Sequence, residues 1–225
     1  MEEFTYAHFD TSKGERTSGT SPFNLPKIDD KLQQLRQNAF SRQIPTADDE
    51  TLCCLMTLIL AIKPARILEI GTATGISAIA MLSVCPDAHI TTIEKDEEFF
   101  REAEKNFKCF GVDMNVDAIC GDAAEALDMC AGEYDFIFMD CAKVQYIKLL
   151  PKLKKLLKKG GTLVADDILL FGWLTGENEV PPKRRMLYKH ICEYVDAVTH
   201  DDGLLTTVLN VGDGLALSVL ISKQL

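Results

Sequence analysis

No Cys-x-x-Cys pair, no histidine cluster, no long apolar run and no surplus of basic residues occur in this chain of 225 residues. Each absence excludes something. Eight scattered cysteines (53, 54, 85, 109, 120, 130, 141, 192) argue against a disulfide framework or a zinc site and suit reduced thiols in a cytosol. The four histidines (8, 89, 190, 200) form no ligand set. The longest near-continuous apolar run, Leu52 to Ile62, has eleven residues with Thr57 among them, too short to span a bilayer. Met1-Glu2-Glu3-Phe4-Thr5 contains no basic region leading into an apolar stretch, so a soluble, cytoplasmic protein without a secretory signal is expected. With 24 Lys/Arg against 34 Asp/Glu, the net charge of −10 argues against wholesale nucleic-acid binding.

What remains is ample for a core. At 47% apolar content the chain fits one large domain. Charge is uneven along it: residues 148–189 hold ten Lys/Arg and four acids, a surplus of +6, which leaves −16 for the remainder.

Residues 1–27 read as a flexible N-terminal arm, rich in Ser, Thr and Gly over 1–25, ahead of a single domain over 28–225. Within that domain, 28–62 is expected to place helices over the site. Ile28, Leu32 and Leu35 share one face of an amphipathic helix to Arg42, and an apolar helix follows over about 47–62. Strands are then expected at 66–70, 89–94, 116–120, 134–140 and 161–166. Helices alternate with them near 76–84, 96–108, 122–130, 144–158 and 182–198. Two last apolar runs, 204–211 and 215–222, flank the turn Gly212-Asp213-Gly214. The pattern predicts an α/β, Rossmann-like, doubly wound sheet of seven strands, mostly parallel, closed by an antiparallel hairpin, with helices on both faces.

Chemistry concentrates at the strand ends. Arg66-Ile67-Leu68-Glu69-Ile70 followed by Gly71-Thr72-Ala73-Thr74-Gly75-Ile76-Ser77 reads as strand, glycine turn and helix start, whose free N–H groups suit a carboxylate or phosphate. Ala73 stands where a dinucleotide fingerprint wants its second glycine, so a cofactor smaller than a dinucleotide fits better and a nicotinamide dehydrogenase is less expected. Glu94, 23 residues after Gly71, ends the next strand and can accept both ribose hydroxyls. Asp122, in Gly121-Asp122-Ala123, could meet an adenine amino group. Asp140 and the pair Asp166-Asp167 follow buried-strand patterns and could converge on one hard cation at the carboxyl edge of a parallel sheet. Asp166-Asp167 could equally cap a turn.

The runs Ile67 to Ser77, Phe136-Ile137-Phe138-Met139-Asp140-Cys141-Ala142-Lys143 and Gly212-Asp213-Gly214-Leu215 resemble class I S-adenosylmethionine-dependent O-methyltransferases of the catechol and caffeoyl-CoA branch. The short chain and Val180-Pro181-Pro182-Lys183-Arg184-Arg185 look most like the bacterial tRNA 5-hydroxyuridine methyltransferases within it. The resemblance covers about residues 28–222. It implies S-adenosyl-L-methionine as donor, with Glu94 on the ribose, Ser77 on the methionine carboxylate, Asp122 by the adenine and Ala47 touching the cofactor through its backbone. Glu69, Gly71, Ala123 and Asp140 complete the expected cofactor set. Asp140, Asp166 and Asp167 fall on the metal positions, for Mg2+ or another divalent cation. The family usually carries Asn where Asp167 stands; a third carboxylate should tighten cation binding and could blunt the metal's acidifying effect on the acceptor.

Methyl transfer from a sulfonium is an in-line displacement onto an oxyanion. A cation chelating two acceptor oxygens lowers the hydroxyl pKa, and Lys143 could take the proton if burial and cation proximity lower its own pKa. Lys143 and Asp140 are therefore the catalytic positions, although a lysine there could also simply be solvated. The expected acceptor is 5-hydroxyuridine in tRNA, reached through Lys183, Arg184 and Arg185. The rivals are a small catechol or caffeoyl-type acceptor and a non-catalytic S-adenosylmethionine-binding protein. The run 152–159 reads as the wet face of a helix whose Leu150, Leu153, Leu156 and Leu157 pack inward. Phe171, Trp173 and Leu174 form either an acceptor wall or ordinary packing. The family resemblance implies a homodimer.

Overall fold

The computed structural model describes residues 5–10, 15–20 and 29–223. Within the expected arm, β1 (Thr5–Asp10) and β2 (Glu15–Thr20) pair antiparallel. Their threonines and aromatic residues favour strands, a signal that the Ser/Gly content of 1–25 hides. Then follow α1 (Asp30–Ser41), α2 (Asp49–Ile62), β3 (Arg66–Ile70), α3 (Ile76–Val84), β4 (His89–Glu94), α4 (Glu97–Phe110), β5 (Val116–Cys120) and α5 (Ala123–Ala126). The chain continues through β6 (Tyr134–Met139), α6 (Tyr146–Leu156), β7 (Leu157–Ala165), α7 (Arg185–Thr199), β8 (Leu204–Leu209) and β9 (Leu215–Leu220).

The main sheet has seven strands in the order β5-β4-β3-β6-β7-β9-β8. The first five run parallel, and β9 pairs antiparallel with both β7 and β8. Strands buried on both faces explain the near-continuous apolar runs of β3 and β6. Side chains alternate between two cores. Leu68, Ile70, Ile137 and Met139 pack towards α5, α6 and α7, while Ile67, Phe136 and Phe138 pack towards α1 to α4. Asp29, Asp48, Asp96 and Asp122 cap α1, α2, α4 and α5, each accepting a backbone N–H of the first turn.

Two helices are shorter than their sequence patterns. The expected helix 122–130 keeps four residues as α5, then tightens into i→i−3 turns at Asp128, Met129 and Cys130. The expected helix 144–158 stops at Leu156, because Leu157 joins β7 opposite Tyr134 and Lys158 pairs with Asp135 at 2.8 Å.

The order reverses between β3 and β6, the place where open α/β sheets bind ligands. A ladder of backbone hydrogen bonds runs along this carboxyl rim. Gly121 N–H donates to Glu94 O (2.8 Å), Gly71 N–H to Ile93 O (2.9 Å), Asp140 N–H to Ile70 O (2.9 Å) and Asp166 N–H to Met139 O (3.0 Å). Residues distant in sequence are thereby set side by side.

Candidate active site

A cavity of about 630 Å³ opens along that rim. Its floor is the turn after β3. Gly71 has φ +99°, and a Cβ there would collide with the carbonyl oxygen of Asp140, so only glycine lets the two strand ends meet. Gly75, at φ +84°, starts α3 without a side-chain cap, so the helix's first N–H groups are not claimed by a capping side chain.

Glu94 is gripped from behind. One carboxylate oxygen accepts Ala73 N–H at 2.7 Å and the other Asp96 N–H at 2.8 Å, which fixes the group on the cavity wall. Asp122 also lines the cavity, but its oxygens already accept Ala124 N–H and the Lys95 ammonium, each at 2.9 Å. An adenine contact would therefore be shared with Lys95. Ala47, Ser77 and Ala123 line the same space. Glu69 does not: it is fully buried behind Ser77, accepting the hydroxyls of Ser77 and Thr92, each at 2.5 Å. Burial pushes its pKa up to about 7 against the lowering effect of those two hydrogen bonds.

At the other end Asp140, Asp167 and Lys143 meet. Lys143 Nζ lies 2.9 Å from Asp140 Oδ1 and 3.0 Å from Asp167 Oδ2. Asp166 is buried behind them; one of its oxygens accepts Asp167 N–H at 2.7 Å and the Thr51 hydroxyl at 3.4 Å. Burial, then the charges of Asp167 and Asp140, hold the Asp166 carboxyl well above the carboxylate range. Among the described residues no group of three acidic, His or Cys side chains is disposed to hold a metal ion. One Asp166 oxygen is turned to its neighbour's amide, and the ammonium of Lys143 stands between Asp140 and Asp167. Burial alone would lower the Lys143 pKa, but Asp140, Tyr146, Asp167 and Asp166 outweigh it and hold the pKa well above the ordinary lysine value. The lowered pKa expected of this lysine is not found in this state. The donor set nevertheless fits a hard cation in kind, since three crowded carboxylates already hold one positive charge among them.

Phe171 and Trp173 stack edge to face at 5.3 Å, yet neither lines the cavity; with Leu174 they pack against the core beside α6 and α7. Val144 and, from α7, Leu187 line it instead. Lys183 and Arg184 are exposed on the turn leading into α7, and Arg185 is exposed as its first residue. The lysines of 152–159 are partly tied up: Lys152 pairs with Asp128, Lys154 with Asp201 and Lys158 with Asp135.

A family profile described as O-methyltransferase matches residues 20–221. The chain belongs to the O-methyltransferase family. It is 32% identical over 203 residues to the tapetum-specific methyltransferase 1 of Arabidopsis thaliana, covering 85% of this chain and 87% of that protein. It is 28% identical to a caffeoyl-CoA O-methyltransferase of Stellaria longipes, with 85% and 83% covered. The structure of a candidate caffeoyl-CoA O-methyltransferase from Staphylococcus aureus superposes with a TM-score of 0.79 at 32% identity, over 84% of this chain and 91% of that one. The SAH-bound methyltransferase PaMTH1 of Podospora anserina shares the fold, with a TM-score of 0.79 at 24% identity over 88% and 90% of the two chains.

The protein is an S-adenosylmethionine-dependent O-methyltransferase, and the non-catalytic reading falls away. Three features of this methyltransferase's site escape a reading of strand ends. Lys95 sits on Asp122, the Thr72–Thr92 hydroxyl pair (2.6 Å) extends the Glu69 network, and the Tyr146 hydroxyl lies 3.0 Å from Lys143. Only the last left a trace in sequence, an aromatic residue one helical turn after the lysine.

Proposed function

We propose that this methyltransferase moves the donor's methyl group to one hydroxyl of a small phenol with two adjacent oxygens, of the catechol or caffeoyl type. One observation carries the reading: the Lys143 ammonium and the Asp140 and Asp167 carboxylates form one wall of the cavity whose floor is the Gly71 turn. A phenolic oxygen placed against that wall faces a sulfonium methyl lying over the turn. The names of the relatives support an acceptor of this class, and the net charge of −10 opposes a polyanion.

Each residue then has a task. The amide-gripped Glu94 receives the ribose hydroxyls, Asp122 with Lys95 borders the base, and Ser77 with the first N–H groups of α3 orients the amino-acid end of the donor. Asp140 faces both the donor and the acceptor. Lys143 stands at the reacting oxygen: its nitrogen takes the hydroxyl's proton as its ammonium gives one to the Asp140 or Asp167 carboxylate it touches, and its N–H groups stabilise the oxyanion onto which the methyl moves. Val144 and Leu187 enclose the ring and exclude water. Asp140, Asp166 and Asp167 would hold a divalent cation, and the chemistry it would supply is Lewis acidity that makes an acceptor hydroxyl more acidic.

A second reading, 5-hydroxyuridine in tRNA, is favoured by the exposed triplet Lys183, Arg184 and Arg185 just before Leu187. The test is methylation, read by mass spectrometry, of catechol, a caffeoyl thioester and hydroxylated tRNA at rising salt. Methylated catechol or caffeoyl product with little salt dependence is expected. Methylation of tRNA alone, falling steeply with salt, would overturn the small-phenol reading.

A further inference from the structure

Lys143 does not rest on its two carboxylates alone. Its ammonium has three N–H donors, and three acceptors stand around it: Asp140 Oδ1 at 2.9 Å, Asp167 Oδ2 at 3.0 Å and the Tyr146 hydroxyl oxygen at 3.0 Å. Tyr146 is fully buried, so its oxygen is no solvent substitute. It has one hydrogen to give, and two backbone carbonyls are within reach, Met139 O at 3.0 Å and Asp166 O at 3.1 Å. Met139 closes β6, and Asp166 directly follows β7. The phenol's single hydrogen is therefore shared between the ends of the two strands that carry Asp140 and Asp166, and its oxygen accepts from the lysine between them.

Its own position is over-determined. Tyr146 is the first residue of α6, and its ring meets Tyr194 of α7 edge-on, centroids 5.3 Å apart at 77°. Tyr194 is fully buried as well, and α7 is the helix that brings Leu187 to the cavity wall. Tyr146 itself is not among the cavity-lining residues. Whatever it does for the reaction, it does through Lys143.

We propose that Tyr146 is a positioning residue for this methyl transfer: its hydroxyl sets the place of the Lys143 nitrogen relative to the ends of β6 and β7, and so relative to the acceptor oxygen. The proposal rests on the reading above that Lys143 handles the acceptor's charge and proton. It predicts a rate effect without a binding effect, because nothing that binds either substrate is removed.

The test compares Tyr146→Phe, Lys143→Met and the double variant by steady-state kinetics on the preferred phenol. Tyr146→Phe keeps the ring and its packing but leaves one lysine N–H and Asp166 O short of a partner. A fall in kcat of about 10- to 100-fold is expected, with both KM values within about threefold, the size usual for losing a residue that orients a reacting group. Adding Tyr146→Phe to Lys143→Met should cost nothing more. Tyr194→Phe, which removes a buried hydroxyl that lacks a hydrogen-bond partner, should leave kcat at the wild-type value. Should Tyr146→Phe fail to fold, 3-fluorotyrosine at 146 keeps the hydroxyl but weakens it as an acceptor, and kcat should still fall; an unchanged kcat counts against the proposal. Lys143→Met inactive with Tyr146→Phe at full rate overturns the positioning role alone, as does an equal loss from Tyr146→Phe in both backgrounds. Lys143→Met at full rate overturns the underlying reading of Lys143 and the positioning role with it.

Discussion

Glu69→Gln should make this protein more stable at pH 8 than at pH 5 relative to the native chain, although it removes a charge from the heart of the fold. The Glu69 side chain lies between Ser77 and Thr92 with no exposure, and burial raises its pKa from the ordinary 4.5 to about 7. The nearby charges of Asp140 and Glu94 push the same way. Below pH 4.5 the group is protonated in both folded and unfolded chains, and its ionisation costs nothing. Between 4.5 and 7 the unfolded chain ionises first, so the native state loses ground as pH rises. Above 7 the whole cost is present, about 3 kcal/mol. A glutamine side chain cannot ionise, so that slope disappears in the variant.

The amide does not match the network perfectly. Its NH2 group must donate to one of two hydroxyls that now donate to the carboxylate, so the variant should be no more stable than the native chain at pH 4.5 to 5. The difference between the two proteins is therefore the useful quantity, because other displaced groups, Asp166 and Asp213 (raised to about 6) among them, contribute to both. Urea unfolding followed through the single, mostly buried Trp173 supplies it at each pH. The difference should move in favour of the Glu69→Gln variant by about 3 kcal/mol between pH 4.5 and pH 8. A difference that stays flat would refute the assignment of a proton-binding carboxyl to this position.

Three further outcomes are expected. Gly71→Ala would drive a methyl group into the Asp140 carbonyl, so calorimetry should show at least about 2 kcal/mol of lost stability and no binding of S-adenosylmethionine. Arg36→Met leaves Asp49 buried without its ion-pair partner and should cost about 3–5 kcal/mol in chemical unfolding, most of it recovered by adding Asp49→Asn; no recovery would contradict the account of that pair. Asp167→Asn should weaken Mn2+ binding by about tenfold or more in titration calorimetry, and Lys143→Met should strengthen it by removing the competing ammonium; a native protein that takes up no Mn2+ would rule the metal out.

The strand-and-helix order was legible because the strands are short runs that lead into glycine or acid; buried β3 and β4, and the more exposed edge strand β5, begin and end where that pattern does. Helix ends were less so. Nothing in Leu156-Leu157-Lys158-Lys159 marks the change from helix to strand, which is set by the pairing of Leu157 with Tyr134 and of Lys158 with Asp135. In the site, the residues on the rim were legible one by one, but not their partners. Glu69 reads like a cofactor contact from its place before the glycine turn, yet β3 points it under α3. Phe171 and Trp173 read equally as an acceptor wall or as ordinary packing; the left-handed backbone at Asp167, Leu170 and Phe171 turns the chain, and both rings pack against the core.

That distinction follows from how the rim is made. The backbone ladder from Gly121 to Asp166 depends on strand register alone, and register is written in apolar periodicity. Where each side chain then points depends on charge balance among groups brought together only by folding. Three carboxylates behind two neighbouring strands cannot all ionise without a cation, and this chain carries one in Lys143, a single turn beyond Asp140. The same ammonium lines the cavity, on the wall to which the proposed function assigns the acceptor. On the proposed function, acceptor binding and cation binding at Asp140 and Asp167 both compete with this ammonium, and a variant that frees the carboxylates should alter both together.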